Sequence, residues 1–525
     1  MRLLYHARIY APDSPSALAI ENGRILALGA EDELMDAFPR ARRENLEGRV
    51  LLPGFTDAHL HLSHYAFSLQ KIDCETPTRD DCLRKVAARA RSLPEGAWVL
   101  GHGWNQNEWG GVFPSARDLD EAAPRNPVFL TAKSLHAAWV NTAALRLADI
   151  SRNTPDPPHG KILRDIHGNP TGILLERAYL DAQSAIPAPD LEETIRALRE
   201  AQPSLWALGV TGVHNFDGRA SYEAVSALRA RGGLRLRVVQ NFLLEDLSFV
   251  RERGLRFGAG DTWIRVGWLK LFMDGALGPR TAAMLAPYEE DAGNTGILNY
   301  RAAELFEIGK EAANAGLPLA VHAIGDRANR EVLDAFALLR RYEEENHLPA
   351  LPHRIEHVQL LHPDDVKRLA DYGILASMQP IHALSDMAMA ESAWGARASL
   401  AYAWRAQLDA GASLLFGSDA PVESPNPFWG IYAATTRRRE DGFPSPEGWY
   451  PEQRLTLAEA LDAYTTAPAR AAGWGHLVGR LAPNALADMI LLEHDPAIIP
   501  PSDLRRMRPM ATMIGNEWLL LKDER

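Results

Sequence analysis

The sequence predicts an α/β protein: a TIM (β/α)8 barrel, with a small β-sandwich domain formed by both termini and a large insertion after the first barrel strand. Three observations lead there. Eight short apolar runs end in polar residues or glycine, helical patterns separate most of them, and β-rich segments mark both ends of the 525-residue chain. Alternating strand and helix patterns read as βα units on a parallel sheet, and eight such units close a barrel.

The elements follow in chain order. "SALAIENGRILALG" carries two apolar runs about an Asn-Gly pair, a hairpin signal. "LAPNALADMILLEHD" and "MRPMATMIGNEWLL" read as strands around turn residues near the other end. Residues 1–52 and 476–525 are therefore expected to form one composite β-sandwich domain. The barrel, residues 53–475, opens with "LLPGFTDAHLHL" and continues through "VTGVHNFDG", "RLRVVQNFLL", "IRVGWLKLFMDG", "LPLAVHAIGD", "HRIEHVQLL", "GILASMQP" and "ASLLFGSDAP". "RAAELFEIGKEAANAG" and "REVLDAFALLRRYEEENH" carry helical periodicity between them. A barrel allots roughly 30 residues to each unit, and the interval between the first two strands is far longer. The excess, residues 65–200, is expected to be an inserted, substrate-covering subdomain on the C-terminal face.

Composition excludes several classes. The net charge of -12 lacks the basic field that nucleic-acid binding needs. No apolar run reaches the roughly 20 residues that span a membrane, and the N-terminus has no signal-peptide pattern. The two cysteines, Cys74 and Cys82, make neither a disulfide scaffold nor a thiolate metal motif. A cytoplasmic protein acting on a small molecule is expected, with a homodimer as the prior for its assembly.

The chemistry-bearing residues sit at strand ends. In "GFTDAHLHL", His59 and His61 are two apart, so a strand projects both to one side, a half-site for zinc or a similar metal. The alternative is a pair of hydrogen-bonded core histidines. Lys270, His322, His357 and Asp419 end the fourth, fifth, sixth and eighth strand candidates. Each lies in an apolar run where an unpaired polar group is costly, and six such residues on one barrel face are hard to explain as core.

The runs "PGFTDAHLHL", "LKLFMDGALGPRTA", "VHAIGDRA", "RIEHVQ" and "FGSDAPV", with "GHGWNQNEW", "HAAWVNTAAL" and "YTTAPARAAG" as weaker matches, together resemble the amidohydrolase superfamily of metal-dependent hydrolases. The resemblance is to the branch that includes N-substituted formamide deformylase and the YtcJ-like proteins. It implies that His59, His61 and Asp419 bind the more buried of two divalent metal ions, that His322 and His357 bind the second, and that Lys270, N6-carboxylated by CO₂, bridges them. Zinc is the expected ion, and manganese, iron and cobalt suit the same donors. A lysine with its usual pKa of about 10.4 is a cation that repels metals, whereas its carbamate is an anion with two oxygens. The alternative is a plain ammonium paired with Asp274 or Glu356 beside one metal.

The implied reaction is hydrolysis of a non-peptide amide or N-substituted formamide C–N bond by a metal-activated water, with Asp419 moving the proton. The alternatives are a cyclic-amide hydrolase or a mononuclear deaminase-type member, and a barrel retained only for binding. A deaminase needs a nearby glutamate, and Glu356, beside His357, points to the other strand face. Arg280, Trp104, His136 and Gln379 are substrate-binding candidates. For Arg280 the competing reading is a loop salt bridge, for Trp104 packing, and for His136 a hold on the inserted subdomain. Aromatic residues of the insertion, Trp98, Trp104, Trp109, Phe113 and Trp139, hint at an apolar amine portion. Asp326 reads as a helix-capping or supporting group, and His102, His214 and His382 as ordinary.

Overall fold

The computed structural model describes residues 1–106, 108–133, 137–158 and 160–521. Two compact units emerge: Met1–Tyr65 with Leu198–Arg525, and Ala66–Ala197.

The first unit contains an eight-stranded parallel sheet. Its strands are β1 (Phe55–Leu60), β2 (Val210–Asn215), β3 (Arg237–Leu243), β4 (Ile264–Phe272), β5 (Leu319–Ala323), β6 (Arg354–His357), β7 (Leu375–Met378) and β8 (Ser413–Phe416). They lie in sequence order, so each βα unit returns beside the last. Beyond β8 the chain reaches β1 again. Asp419 N–H donates to His59 C=O at 2.7 Å and His61 N–H to Ala420 C=O at 2.9 Å, and Leu60 bridges Ala420 in parallel. This short seam brings the ends of the first and last strands together, as the TIM barrel requires.

The outer helices are held by apolar stripes. The helix Asp326–Glu345 buries Ala328, Val332, Leu333, Ala335, Phe336 and Leu339 at helical spacing, and these residues belong to the same core as Leu319, Val321 and Ile355 of the sheet.

The first unit holds two further sheets, one of which uses both ends of the chain. Arg2–Tyr5, Ala17–Glu21, Arg24–Gly29 and Arg42–Asn45 form a four-stranded sheet, and Arg8–Ile9, Val50–Pro53, Met489–Leu492, Ala511–Ile514 and Glu517–Leu521 a five-stranded one. Met489–Leu492 pairs antiparallel with Val50–Pro53, and residues of both sheets share one core that includes Leu4, Ile20, Leu51, Met489 and Met513. The hairpin after Glu21 turns at Asn22 and Gly23, whose φ values of 50° and 76° are those a type I′ turn demands.

The second unit has its own six-stranded sheet, in the order Gly160–Arg164, Pro170–Glu176, Ala137–Val140, Val128–Ala132, Val99–Trp104, Ile72–Asp73. Its core gathers Cys74, Cys82, Trp104, Leu130 and Trp139. Among the described residues no helix is long and apolar enough to cross a membrane.

Candidate metal centre

The centre begins on β1. Asp57 and His59, two residues apart, are both buried. The His59 ring is held from two sides: Nδ1–H donates to Glu356 Oε2 at 2.6 Å, and the Phe216 ring stacks on it at 4.1 Å. Its Nε2 lies 3.4 Å from Asp419 Oδ1 and is buried without a hydrogen-bond partner among the described residues. His61, just past the strand, places its Nε2 3.5 Å from the same oxygen, while its Nδ1–H donates to Asp217 at 2.9 Å. His59, His61 and Asp419 thus offer donor atoms within 4.8 Å of one another.

Two backbone features set Asp419 there. Its φ of 60° is left-handed and turns the carboxylate over the barrel mouth. Gly417 lets β8 approach β1, because a Cβ at that position would lie 2.4 Å from His59 N.

The other candidate ligands come from the middle strands. Phe272 of β4 pairs with His322 of β5, and Ala323 with His357 of β6, so their ends stay level. The His322 and His357 rings are 4.5 Å apart, and His357 is 5.1 Å from the His59 ring. His357 Nδ1–H donates to Gln379 Oε1 at 2.8 Å, and His322 Nε2–H to Gly275 C=O at 2.9 Å. Lys270 is buried with its Nζ 4.9 Å from the ring centres of Phe216 and Phe272. Asp274, offered in sequence as its partner, instead accepts backbone N–H groups from Ala283, Ile324 and Gly325. The structure therefore brings His59, His61, Lys270, His322, His357 and Asp419 together.

The electrostatics suit a cation. Burial, then the Lys270 charge, pushes His59 far below its ordinary value and His322 down to about 3. Burial and the neighbouring His322 do the same to His357. Neutral imidazole is the form that ligates metal. Burial also lowers Lys270 to about 8, against the pull of Glu356 and Asp419, and raises Asp419. Neutral imidazoles, a carboxylate, and a buried Nε2 with nothing to bond are the donor set of a zinc-class ion. These residues fit such a group.

One sequence expectation is overturned. Strict strand alternation aims Glu356 away from the centre. In the structure it bonds His59, and His357, with a φ of 76° followed by 43° at Val358, leaves the alternation and faces the centre as well. Both Glu356 and His357 then serve the interior. Glu356 is also fully buried against Arg354, whose Nε sits 2.5 Å from Oε1. Arg354 donates further to Ala58 C=O at 2.8 Å, to Ser377 Oγ at 2.5 Å and to His214 Nδ1 at 3.0 Å.

The remaining candidates fall as follows. Gln379 is at the centre, bonded to His357. Arg280 is engaged by Glu290 at 3.0 Å. Trp104 lies in the core of the second unit, its indole N–H donating to Leu130 C=O at 2.8 Å, packed with Trp109, Phe113 and Trp139. His136 lies outside the described residues. Asp326 opens its helix and accepts Leu285 N–H at 2.8 Å.

Sequence reading passed over two participants. Asp217, in "HNFDG" after β2, accepts from His61, from His64 Nδ1 at 2.7 Å and from Ser63 N–H at 2.5 Å. The run "HLHLSH" was the available signal, since His64 follows His61 by one helical turn. His382, read as ordinary, offers a donor atom within 4.8 Å of His357 and Asp419. Only its place just beyond Gln379 pointed to it.

A model of the amidohydrolase family matches residues 43–519. The protein YtcJ of Bacillus subtilis (strain 168) is 32% identical over 516 residues, spanning 96% of each chain. N-substituted formamide deformylase of Arthrobacter pascens is 30% identical over 526 residues, covering 95% of this chain and 93% of that protein. Among solved structures, an uncharacterized metal-dependent hydrolase from Pyrococcus furiosus superposes with a TM-score of 0.80 at 28% identity, over 94% of this chain and 99% of that one.

Proposed function

The chain belongs to the amidohydrolase family, and from that premise we propose that it hydrolyses a non-peptide carbon–nitrogen bond, that of an N-substituted formamide or a related N-acyl amine. One observation carries the reading. The buried His59 Nε2 has no hydrogen-bond partner among the described residues and faces Asp419 beside His61, while its other nitrogen is tied to Glu356. A nitrogen left bare in this way is aimed at a ligand the protein does not supply.

His59, His61 and Asp419 would hold one divalent ion, with His322 and His357 holding a second and a carboxylated Lys270 between them. Zinc or a similar ion, when bound, supplies Lewis-acid polarisation of the scissile carbonyl and lowers the pKa of water. The chain's own residues supply the rest. Asp419, raised by burial, accepts the proton of the attacking water and returns it to the departing nitrogen, which leaves as the free amine. Burial lowers Lys270 to about 8, which raises the share of neutral amine able to take up CO₂. Similarity to N-substituted formamide deformylase favours the formamide class. Glu356, enclosed by Arg354 and His59, is engaged as a support, which speaks for hydrolysis over a deaminase-type route. Two free, buried cysteines agree with a cytoplasmic setting.

The test is a panel of N-formyl and N-acyl amines incubated with protein reloaded with zinc and bicarbonate, with free amine as the readout. Amine release, abolished by a chelator and restored by zinc, is expected. Ammonia release from aminated heterocycles, with none of the amides cleaved, sinks the proposal.

A further inference from the structure

The four histidines of the centre hand their second nitrogens to acceptors of two kinds, carboxylates and neutral carbonyl oxygens. Behind His61 stands the carboxylate of Asp217. Behind His59 stands the carboxylate of Glu356, shared with Arg354. Behind His357 stands the neutral amide of Gln379, and behind His322 the neutral carbonyl of Gly275 at 2.9 Å, with Asp274 Oδ1 farther off at 3.5 Å and its carboxylate already accepting three backbone N–H groups. A carboxylate on the far N–H pushes electron density toward the ligating nitrogen, orients the ring and strengthens it as a ligand, and an uncharged acceptor does so less. Asp419 adds to the contrast, since its Oδ1 lies within 3.5 Å of both carboxylate-backed rings.

We propose that these acceptors grade the centre: the His59–His61–Asp419 half takes metal first and holds it, and the His322–His357 half fills last and exchanges fastest. Asp217 and Gln379 are then positioning residues with opposite settings. The inference rests on the metal-dependent reading above.

Asp217 is the cleaner of the two carboxylates to test. It accepts from two imidazoles and from the N–H groups of Ser63 and His64, and Asp217→Asn retains an acceptor oxygen while removing the charge. Gln379→Glu adds the charge behind His357 at nearly constant shape. The full-length protein, stripped by a chelator, is titrated with zinc against a competing fluorescent chelator.

Asp217→Asn is expected to weaken the tighter zinc step about 10- to 100-fold and leave the weaker step in place. Gln379→Glu is expected to tighten the weaker step about 10-fold and leave the tighter one. Structural damage does not produce a gain in affinity, so Gln379→Glu keeps the idea testable even where Asp217→Asn folds poorly. Zinc bound by the wild type with both steps moved alike by Asp217→Asn, or with no gain in Gln379→Glu, overturns the grading and leaves the proposed function standing. A wild-type protein that binds no zinc overturns both.

Discussion

Ser418 and Asp57 clasp the first and last barrel strands from within. The Ser418 hydroxyl donates to Asp57 Oδ2 at 2.5 Å and its N–H to Asp57 Oδ1 at 3.1 Å, and the same Oδ1 accepts the His59 N–H at 3.1 Å. The backbone that carries His59 and the residue before Asp419 are thereby fixed to one buried carboxylate. Ser418→Ala leaves Oδ2 without its donor. Loss of a buried hydrogen bond of this kind costs about 1–3 kcal/mol. Thermal unfolding of the metal-free variant is expected to show a lowered midpoint, and zinc titration a weakened first step. An unchanged midpoint and affinity contradict the clasp.

Gly417 makes the seam narrow enough for that clasp. An added Cβ meets His59 N at 2.4 Å and Asp57 Oδ1 at 2.7 Å, and backbone cannot yield as a flexible side-chain tip does. Gly417→Ala is expected to cost about 1–3 kcal/mol, as overpacking does, and to lower retained metal. Urea midpoints and metal per chain measure both. A variant with wild-type values shows that the seam is looser than described.

Much of this was legible from sequence, for a physical reason. Barrel strands buried on both faces read as apolar runs, and the polar residues that end them stand out against that background, as Lys270, His322 and Asp419 do. What stayed hidden depends on backbone angles or on partners distant in sequence. Period-two alternation puts Glu356 and His357 on opposite faces, and the left-handed φ of His357 lets both serve the interior. Asp217 meets His61 across 156 residues, and nothing in "HNFDG" announces the pairing. Gln379 is a candidate at the end of the "GILASMQP" run, but its bond to His357 needs coordinates.

The Arg354–Glu356 pair is fully buried, with side-chain exposures of 0% for both. Glu356→Gln strands a guanidinium in the barrel interior, and breaking a buried pair from one side costs about 3–5 kcal/mol. It also removes the negative acceptor behind His59. Denaturant unfolding of metal-free protein is expected to report a loss of that order, and zinc binding a weaker first step. A Glu356→Gln variant with native stability that loses only turnover instead assigns Glu356 to proton transfer.

At the start of β6, His353 predicts a pH dependence independent of the centre. Its Nδ1 accepts Leu319 N–H at 3.0 Å and its Nε2–H donates to Glu343 at 2.9 Å. Burial holds His353 below its ordinary 6.5, against the pull of Glu343. The unfolded chain then binds the proton first, so stability is complete above pH 6.5 and is lost as pH falls below it. The slope is at most about 1.4 kcal/mol per pH unit. His353→Gln is expected to be less stable at pH 7.5 but to lose less on going to pH 5.5. Parallel loss in both proteins, by urea unfolding at the two pH values, contradicts the assignment.

The most direct test of the central claim is metal per chain, measured by elemental analysis after reloading with zinc and bicarbonate, for the wild type and for the His59→Asn, His61→Asn double variant. The account predicts zinc bound by the wild type and at least one equivalent fewer in the double variant, with its fold intact by circular dichroism. Equal metal in the two proteins, or a wild type that holds none, contradicts it.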